Sequence, residues 1–356
     1  MAENIRLNIE PQTCKLGGEE QLLNKDGIYI AQEKFDGHRA IMYCKGGKNY
    51  FFSRRTSDVT GYKEDNTDKV PYLRDLDLSK FEDSIFDGEL VANWEHTDSS
   101  IVQQVLGSTP ERALELYKQG HTLTYKIFDV IKFRGMDFSN KPLFARLNIL
   151  NYVRERLSIY VKNIEIVPVI VDNNVDKRKL DVCTKCDNYG EFLKSMLSED
   201  KEGIILKDMY SKYSFKRSSD WLKYKSVKTA DLVIMGLVEP KKDYTGKFSV
   251  EELKERGWEY WENGIPVSKT YAKGWVAGLR LGAYKDGKLK YVATVKGFSD
   301  DIQETIKNTD LSNVVVEIEY QGIQNKERKS LRHPRFKQFR FDKESNECLW
   351  DNVGCS

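Results

Sequence analysis

Short apolar runs, alternating or clustered, predict β-strands through the first two thirds of the chain. These predicted strands are Gly27 to Ile30, His38 to Tyr43, Tyr50 to Ser53, Ser84 to Ala92, Leu123 to Ile131 and Gly203 to Asp208. Apolar residues at helical spacing predict helices over Pro110 to Lys118 and Arg146 to Leu157. The mixture of the two element types indicates an α+β fold.

The pattern changes near Thr229, after which predicted strands dominate. They are Leu232 to Val238, Ala277 to Tyr284, Leu289 to Thr294 and Val314 to Tyr320. Asp286-Gly287 is a hairpin-turn signal between two of them. We therefore predict two domains, residues 1–228 and 229–356, the second a small β-barrel. A charged and aromatic stretch at about 241–275, with a helix over Val250 to Arg256, is predicted to be an insertion on that barrel.

Composition fits a soluble globular protein, because hydrophobic residues make up 40% and charged residues 31% of the 356 positions. No apolar run has the roughly 20 residues of a membrane span, and the first residues lack the apolar core of a secretory signal. We expect a cytoplasmic protein, or a nuclear one if the host has a nucleus, that is not bound to a membrane and acts as a monomer.

Cysteines do not indicate a metal site. Cys183 and Cys186 form a single C-x-x-C, whereas a structural zinc site needs four ligands. The four histidines are scattered along the chain: His38, His96, His121 and His333. We therefore expect free thiols at the six cysteines, Cys14, Cys44, Cys183, Cys186, Cys348 and Cys355.

Positive charge is concentrated in two segments, although the net charge is only +2. The first segment runs from Lys207 to Lys228 and the second from Arg328 to Lys343. Basic segments in an otherwise neutral chain indicate a polyanion bound at a defined surface. Solvated basic faces are the alternative for either segment taken alone.

The first candidate for a catalytic motif is the segment Lys34-Phe35-Asp36-Gly37-His38-Arg39, which lies between two predicted strands. A lysine is a nucleophile only when neutral, so it needs nearby cations or burial to lower its pKa. A nearby glycine lets the backbone approach a phosphate. The four-residue pattern K-x-D-G is weak by itself, and its significance depends on what accompanies it.

Further short motifs follow in order along the chain. They are Ser53-Arg54-Arg55, Phe86-Asp87-Gly88-Glu89-Leu90, Tyr125 to Val130 with Phe128, Glu202 to Lys207, Trp221-Leu222-Lys223-Tyr224-Lys225, Arg332 to Phe336 and Phe339-Arg340-Phe341-Asp342-Lys343. The two lysines of the fifth motif have strand spacing and therefore point to one face.

This ordered series resembles the covalent nucleotidyltransferase superfamily and, within it, the ATP-dependent DNA ligases of the compact phage and virus type. The resemblance covers nearly the whole chain. It implies an adenylyltransferase domain, built from ATP-grasp-like antiparallel sheets with helices, followed by an oligonucleotide-binding (OB-fold) barrel. It also implies ATP as the AMP donor, Mg²⁺ or Mn²⁺ as the metal, and nicked duplex DNA as the substrate.

The resemblance also implies roles for individual residues. Lys34 attacks the α-phosphate of ATP, and Glu89 and Glu202 are the metal ligands, with Glu89 also near the ribose. Phe128 stacks on adenine. Gln32 either contacts the adenine edge with its side chain or acts only through its backbone.

The remaining implied roles concern phosphates and the DNA. Lys223 and Lys225, with Lys207 as a third candidate, hold the α-phosphate. Asp36 assists the 3′-hydroxyl, while the phosphate of the nick and AMP are positioned by Arg39 and Arg54. The β- and γ-phosphates are contacted by Arg340, Asp342 and Lys343 in the first step only, which implies domain closure.

Three alternative functions remain at this stage. An mRNA guanylyltransferase shares the lysine chemistry with GTP, an RNA ligase joins RNA, and a non-catalytic barrel protein would only bind nucleic acid. The segment Arg332-His333-Pro334-Arg335-Phe336 favours the DNA ligases over the guanylyltransferases. Many RNA ligases lack this barrel and its last motif. The lysine together with both acids argues against the third.

Overall fold

A computed structural model describes residues 5–58, 60–92, 99–157, 161–199, 201–225, 228–325 and 327–354. The chain divides into two compact units, Met1–Lys225 and Ser226–Ser356. His96 and Cys355 lie outside the described residues. Within the described residues, helices are too short or too polar to cross a membrane.

The first unit is built from thirteen described strands and six described helices. Its strands are β1 Thr13–Leu16, β2 Tyr29–Lys34, β3 His38–Lys45, β4 Lys48–Thr56, β5 Lys63–Asp65, β6 Ser84–Ala92, β7 Leu123–Phe133, β8 Met136–Asp137, β9 Ile164–Ile166, β10 Ile170–Val171, β11 Thr184–Lys185, β12 Gly203–Asp208 and β13 Arg217–Lys225. Its helices are α1 Glu19–Leu22, α2 Pro71–Arg74, α3 Ser99–Leu106, α4 Pro110–Lys118, α5 Leu143–Arg156 and α6 Tyr189–Ser198.

These strands form two sheets. Sheet A has the order β1-β13-β12-β2-β10-β11, and sheet B has the order β5-β4-β3-β6-β7-β8, with β9 added beside β7. Pairing is mostly antiparallel, but β1 with β13, β10 with β11 and β7 with β9 are parallel. The predicted antiparallel sheets with helices are therefore present in the first unit.

Buried side chains from both sheets pack against one another in one cluster. Ile41 and Phe128 of sheet B lie in the same apolar cluster as Trp221 and Ile205 of sheet A. A separate cluster joins sheet A to α6 through Ile204, Leu206 and Met196 among others, and a larger one joins sheet B to α3, α4 and α5. The two sheets therefore face each other, with helices on their outer sides.

A buried ion pair joins β7 to α5. Arg146 donates from Nε and Nη2 to the two carboxylate oxygens of Asp129 at 2.8 and 2.9 Å, and both side chains are fully buried. Its Nη1 donates to the carbonyl oxygens of Lys141 and Ser211 at 2.6 and 3.0 Å. Because each charge is compensated and its hydrogen bonds are made, the pair can remain ionised inside the core.

The second unit has nine described strands and three described helices. They are β14 Lys228–Val238, α7 Val250–Glu255, β15 Trp261–Glu262, β16 Ile265–Pro266, α8 Lys269–Ala272, β17 Gly278–Lys285, β18 Lys288–Val295, α9 Asp300–Asn308, β19 Val315–Tyr320, β20 Gly322–Asn325, β21 Ser330–Arg332 and β22 Arg335–Arg340. Sheet C has the order β18-β17-β14-β19-β22. Among the described pairings, β18 and β22 remain the edges of this sheet, so a closed OB-fold barrel stays a prediction.

The stretch predicted as an insertion forms a small aromatic cluster between β14 and β17. Trp258 packs edge-on against Tyr244 and Tyr260, with ring centres 5.0 and 5.3 Å apart. Ser249 and Glu252 form a reciprocal capping box at the start of α7. The predicted helix over Val250 to Arg256 is thus confirmed as α7, ending at Glu255.

Most predicted elements are confirmed within a few residues, but three details were wrong. The strand predicted at Gly27 to Ile30 starts at Tyr29 and runs to Lys34, because Gly27 adopts a φ of 62° in a turn. Lys34 therefore ends a strand rather than lying between two. The helix predicted from Arg146 begins at Leu143, directly after Pro142, which takes the cap position.

Removing Arg146 should destabilise the first unit strongly. In Arg146→Met, the Asp129 carboxylate stays buried without its partner, so the free energy of unfolding should fall by about 3–5 kcal/mol. Chemical denaturation measures this. Arg178→Met removes an ion pair whose arginine is 89% exposed, so it should change little. Adding Asp129→Asn to Arg146→Met should recover part of the loss, and a loss equal to that of Arg178→Met would contradict the assignment.

Candidate active site

The register of sheet A brings four predicted site residues to one face. Lys34 pairs with Gly203, which pairs with Lys225 on the other side of β12. In the next row, Gln32 pairs with Ile205, which pairs with Lys223. Because directly paired residues in an antiparallel sheet share a face, Gln32, Lys34, Lys223 and Lys225 point the same way.

Gly203 at the centre of the first row has no substitute. Its φ is 143°, and a Cβ atom built there would lie 2.0 Å from the carbonyl oxygen of Tyr224. Only glycine therefore allows β12 to pair with β13 at this point. Because of this close pairing, only β12 lies between the strands that carry Lys34 and Lys225.

Sheet B contributes a row of alternating charges. Arg39 on β3 pairs with Glu89 on β6, which pairs with Lys126 on β7. Lys126 in turn forms an ion pair with Glu165 on the parallel strand β9. Glu89 therefore lies between two cations of its own sheet.

Charges from both sheets act on Glu89. Burial raises the pKa of Glu89 to about 7, with Arg39 and Lys34 lowering it and Glu202 and Asp87 raising it. Arg39 comes from sheet B and Lys34 from sheet A. The two predicted metal ligands, Glu89 and Glu202, are thus close enough to repel each other, as expected of a cation site.

Lys34 forms an ion pair with Glu202, and the two side chains are 20% and 19% exposed. Beside them is a groove of about 190 Å³ that is also lined by Phe35, Asp36 and Lys126. A groove of this size next to a lysine at the end of a strand can admit part of a substrate. The predicted nucleophile is therefore accessible, and its ammonium has a carboxylate partner.

Phe128 occupies a bulge in β7. Asp87 pairs with Asp129 and Gly88 with Ile127, so Phe128 has no partner across the ladder. The ring is 9% exposed, and the guanidinium carbon of Arg39 and the Nζ of Lys207 lie 4.5 and 4.4 Å from its centre. Adenine can stack on Phe128 only after these side chains move.

Lys207 is a buried cation in an aromatic pocket. Its Nζ lies 4.0 Å from the ring centre of Trp221 and donates to the carbonyl oxygen of Phe128 at 3.4 Å. Burial lowers the pKa of Lys207 to about 8, with Arg39 acting in the same direction and Asp129 opposing. The predicted third phosphate lysine therefore lies against Phe128 and Trp221 in this structure.

The surroundings of the Cys14 thiol show that several cations lie close together. Burial raises the pKa of the Cys14 thiol, and four cations lower it: Arg39, Lys207, Lys223 and Lys34. These groups come from β2, β3, β12 and β13. Such a concentration of positive charge suits a phosphate.

Arg39 is held by Asp87 and Gln12, and Asp87 is held in turn by Tyr213; Gln12 and Tyr213 carry no sequence signal for the site. Its Nε and Nη2 donate to the two oxygens of Asp87 at 2.6 and 2.5 Å, and Nη2 also donates to the carbonyl oxygen of Gln12 at 3.0 Å. Tyr213 donates its hydroxyl to Asp87 at 2.5 Å. Asp87 shares a strand face with Glu89, so alternation along β6 could have identified it; Gln12 and Tyr213 lie in segments without a pattern.

The structure does not bring every predicted residue into this site. Arg54 is exposed on β4, where its carbonyl oxygen accepts from Lys63 at 2.8 Å. Arg340, Asp342 and Lys343 belong to the second unit, where Asp231 binds Arg340 and Lys343, and Asp342 binds Arg340. The described cysteines are all free.

Comparisons with known proteins identify the family of the first unit. Residues 12–225 match the family model of the ATP dependent DNA ligase domain. A DNA ligase of Pyrobaculum islandicum is 27% identical over 231 residues, 62% of this chain and 36% of the relative. A probable DNA ligase of Streptomyces griseus is 26% identical over 337 residues, 92% of this chain and 59% of the relative. The chain spans less than two thirds of the length of these relatives.

The fold is also shared with a solved structure. A protein from a structure–function study of Lig E DNA ligases superposes with a TM-score of 0.56 at 17% identity, over 94% of this chain and 100% of that chain. At this identity the likeness concerns the fold alone. The family match covers more than half of the chain and contains Lys34, Glu89, Glu202, Lys223 and Lys225, so the chain belongs to the ATP-dependent DNA ligase domain family.

Proposed function

We propose that this protein is an ATP-dependent DNA ligase that seals nicks between a 3′-hydroxyl and a 5′-phosphate in duplex DNA. One observation carries the proposal: Lys34 and Arg39 of one motif interact with Glu89 and Glu202, which come from two other motifs, across two facing sheets. The family match supports the same reaction. We also propose that the second unit is the OB-fold barrel of such an enzyme and that the active site residues are those predicted above.

In the first step, the Lys34 amine attacks the α-phosphate of ATP. A bond forms between Nζ and phosphorus, and the bond to the bridging oxygen breaks, which releases pyrophosphate. Lys34 must first lose a proton, because only the neutral amine is a nucleophile. Lys223 and Lys225 neutralise the charge that builds on the phosphate oxygens.

In the later steps, AMP passes from Lys34 to the 5′-phosphate at the nick. The 3′-hydroxyl then attacks that phosphate, the phosphodiester bond forms, and AMP leaves. Asp36 lines the groove beside Lys34, where a carboxylate can orient the attacking hydroxyl. Both steps depend on positioning and on charge stabilisation.

The residues present fit a divalent metal ion. Glu89 and Glu202 offer carboxylate oxygens that repel each other in the structure. Within the described ranges, no group of three or more His, Cys, Asp or Glu side chains suits a metal. Mg²⁺ is commonly bound by one or two carboxylates together with phosphate and water, so two acids suffice. The metal would neutralise charge on the transferred phosphate.

The Gln32 side chain supports recognition of adenine. Its amide nitrogen donates to the carbonyl oxygen of Val167 at 3.5 Å, which directs the amide oxygen elsewhere. That oxygen is buried and has no hydrogen-bond partner among the described residues. The 6-amino group of adenine is a donor that would satisfy it, whereas the 6-oxo group of guanine is an acceptor that would not.

The decisive test is labelling of the protein with α-labelled ATP and magnesium, without DNA, followed by a denaturing gel. Wild type should become labelled, and Lys34→Arg should not, because arginine keeps the positive charge but does not become a neutral nucleophile. Lys194→Ala is the matched control, since Lys194 lies on the exposed face of α6. Label on Lys34→Arg, or no label on wild type, would overturn the proposal; nicked DNA and nicked RNA then decide the substrate.

Loss of the Gln32 acceptor should relax the choice of nucleotide. Gln32→Met removes the buried oxygen at similar length, so the preference for ATP over GTP in the labelling reaction should fall by roughly tenfold or more. The ratio of labelling rates with the two nucleotides measures this. An unchanged ratio would assign the discrimination to the backbone.

Glu89 should make adenylylation depend on pH near neutrality. Its pKa of about 7 means that the carboxylate is protonated at lower pH, so the labelling rate should rise between pH 6 and pH 8. The stability of the folded protein should instead fall over this pH range. Because the folded-state pKa is raised, the contribution of Glu89 to stability is present below its usual pKa and is lost as pH rises through 7.

Glu89→Gln separates these two effects. Without nucleotide and metal, the variant should melt at a higher temperature than wild type at pH 8, with a much smaller difference at pH 5. Its labelling rate should be low at both pH values. A variant less stable than wild type at pH 8 would contradict the assigned burial of the charge.

A further inference from the structure

A single carboxylate in the second unit binds both cations that are predicted to contact the β- and γ-phosphates. Asp231 accepts from Nζ of Lys343 at 2.8 Å and from Nη1 of Arg340, with both carboxylate oxygens at 3.3 Å. Its side chain is 19% exposed. Asp231 lies 109 residues before Arg340 in the chain, so only the folded sheet brings them together.

The register of sheet C explains this meeting. Asp231 on β14 pairs with Glu317 on β19, which pairs with Gln338 on β22. Arg340 lies two residues after Gln338 and therefore points to the same face. Lys343 follows in the turn after β22, where its backbone amide donates to the carbonyl oxygen of Arg340 at 3.2 Å.

A second acid contacts Arg340 but differs from Asp231 in two ways. Asp342 accepts from Nε and Nη2 of Arg340 at 2.9 Å each, so the guanidinium is held between two carboxylates. Asp342 is 67% exposed, and among the ion pairs of the described residues it binds Arg340 but not Lys343. Asp231 is more covered, and it alone links Arg340 to Lys343 among the ion pairs of the described residues.

Two cations that together stabilise a leaving pyrophosphate act best when they are already positioned. Long lysine and arginine side chains lose much rotamer freedom when they bind phosphate, and this cost falls if they are already ordered. A carboxylate shared by both orders them in advance. Asp231 uses only some of the donors of Arg340 and Lys343. The remaining donors would bind phosphate oxygens after the exposed Asp342 side chain has moved away from Arg340.

We propose that Asp231 is a positioning residue for adenylylation: it holds Arg340 and Lys343 at the spacing that the leaving pyrophosphate needs. The inference rests on the proposed function of those two residues. It predicts a selective defect, because sealing of DNA that already carries AMP involves no pyrophosphate.

The test compares the two reactions in Asp231→Asn. The kcat/KM for formation of lysyl-AMP from ATP should fall by roughly tenfold to a hundredfold, as expected when positioned groups are released. The rate at which added pyrophosphate removes AMP from the labelled protein should fall as well. Sealing of pre-adenylylated nicked DNA should stay within about twofold of wild type, since this step uses none of these contacts.

Three further variants test whether the defect comes from the contacts of Asp231 with Arg340 and Lys343. Asp300→Asn is the matched control, because Asp300 is an acid of the same unit that binds Lys269 instead; it should not separate the reactions. Arg340→Ala should reproduce the selective defect. Asp231→Glu keeps the carboxylate and should recover part of the lost rate, which a defect of packing alone would not do.

The outcomes are distinguishable. Equal losses in adenylylation and in sealing by Asp231→Asn would assign Asp231 a purely structural role and overturn the inference. Faster adenylylation would also overturn it, because Asp231 would then compete with the phosphates. Wild type that forms no lysyl-AMP would remove the proposed function as well, and the wild-type reaction is run beside every variant.

Discussion

The hydrogen-bonded register of β2, β12 and β13 is the constraint on which the candidate site depends. It places Lys34 in line with Gly203 and Lys225, and Gln32 in line with Ile205 and Lys223. A slip of one residue would turn each of these side chains to the opposite face of the sheet. Gly203 protects the register, because its backbone conformation and its contact with Tyr224 exclude any side chain.

Charged side chains from the two sheets interact with one another and so form one site. Sheet A supplies Lys34, and sheet B supplies Arg39 and Glu89, with Glu202 just before β12. The site is unfavourable for the isolated protein, because it buries an acid whose pKa is raised and a lysine whose pKa is lowered. Sites that bind charged substrates commonly retain such costs, since the substrate charge relieves them.

Sequence periodicity accounts for much of this arrangement. The strand spacing of Lys223 and Lys225 correctly predicted a shared face, and the motif around Glu89 was correctly placed on a strand. The four-residue strand β1 carries no apolar alternation, so its parallel pairing with β13 could not be foreseen. The bond between Gln12 and Arg39 depends on that pairing and was missed for the same reason.

Other features depend on contacts that no local pattern encodes. The grouping of Arg340 and Lys343 around Asp231 follows from the order of strands in sheet C, which single-strand patterns do not determine. The cations over Phe128 likewise come from two different sheets. Strand patterns predict which face a residue occupies, whereas the partner on that face is set by tertiary packing.

The bulge at Phe128 links the candidate site to the buried core. A regular strand would send Phe128 and Asp129 to opposite faces, but the extra residue lets Phe128 contact Arg39 while its neighbour binds Arg146. Deleting one residue here would restore regular alternation. Either Phe128 would then lose its contact with Arg39, or Asp129 would lose its ion pair with Arg146. The length of β7 is therefore under two separate constraints, so this segment has little freedom to gain or lose residues.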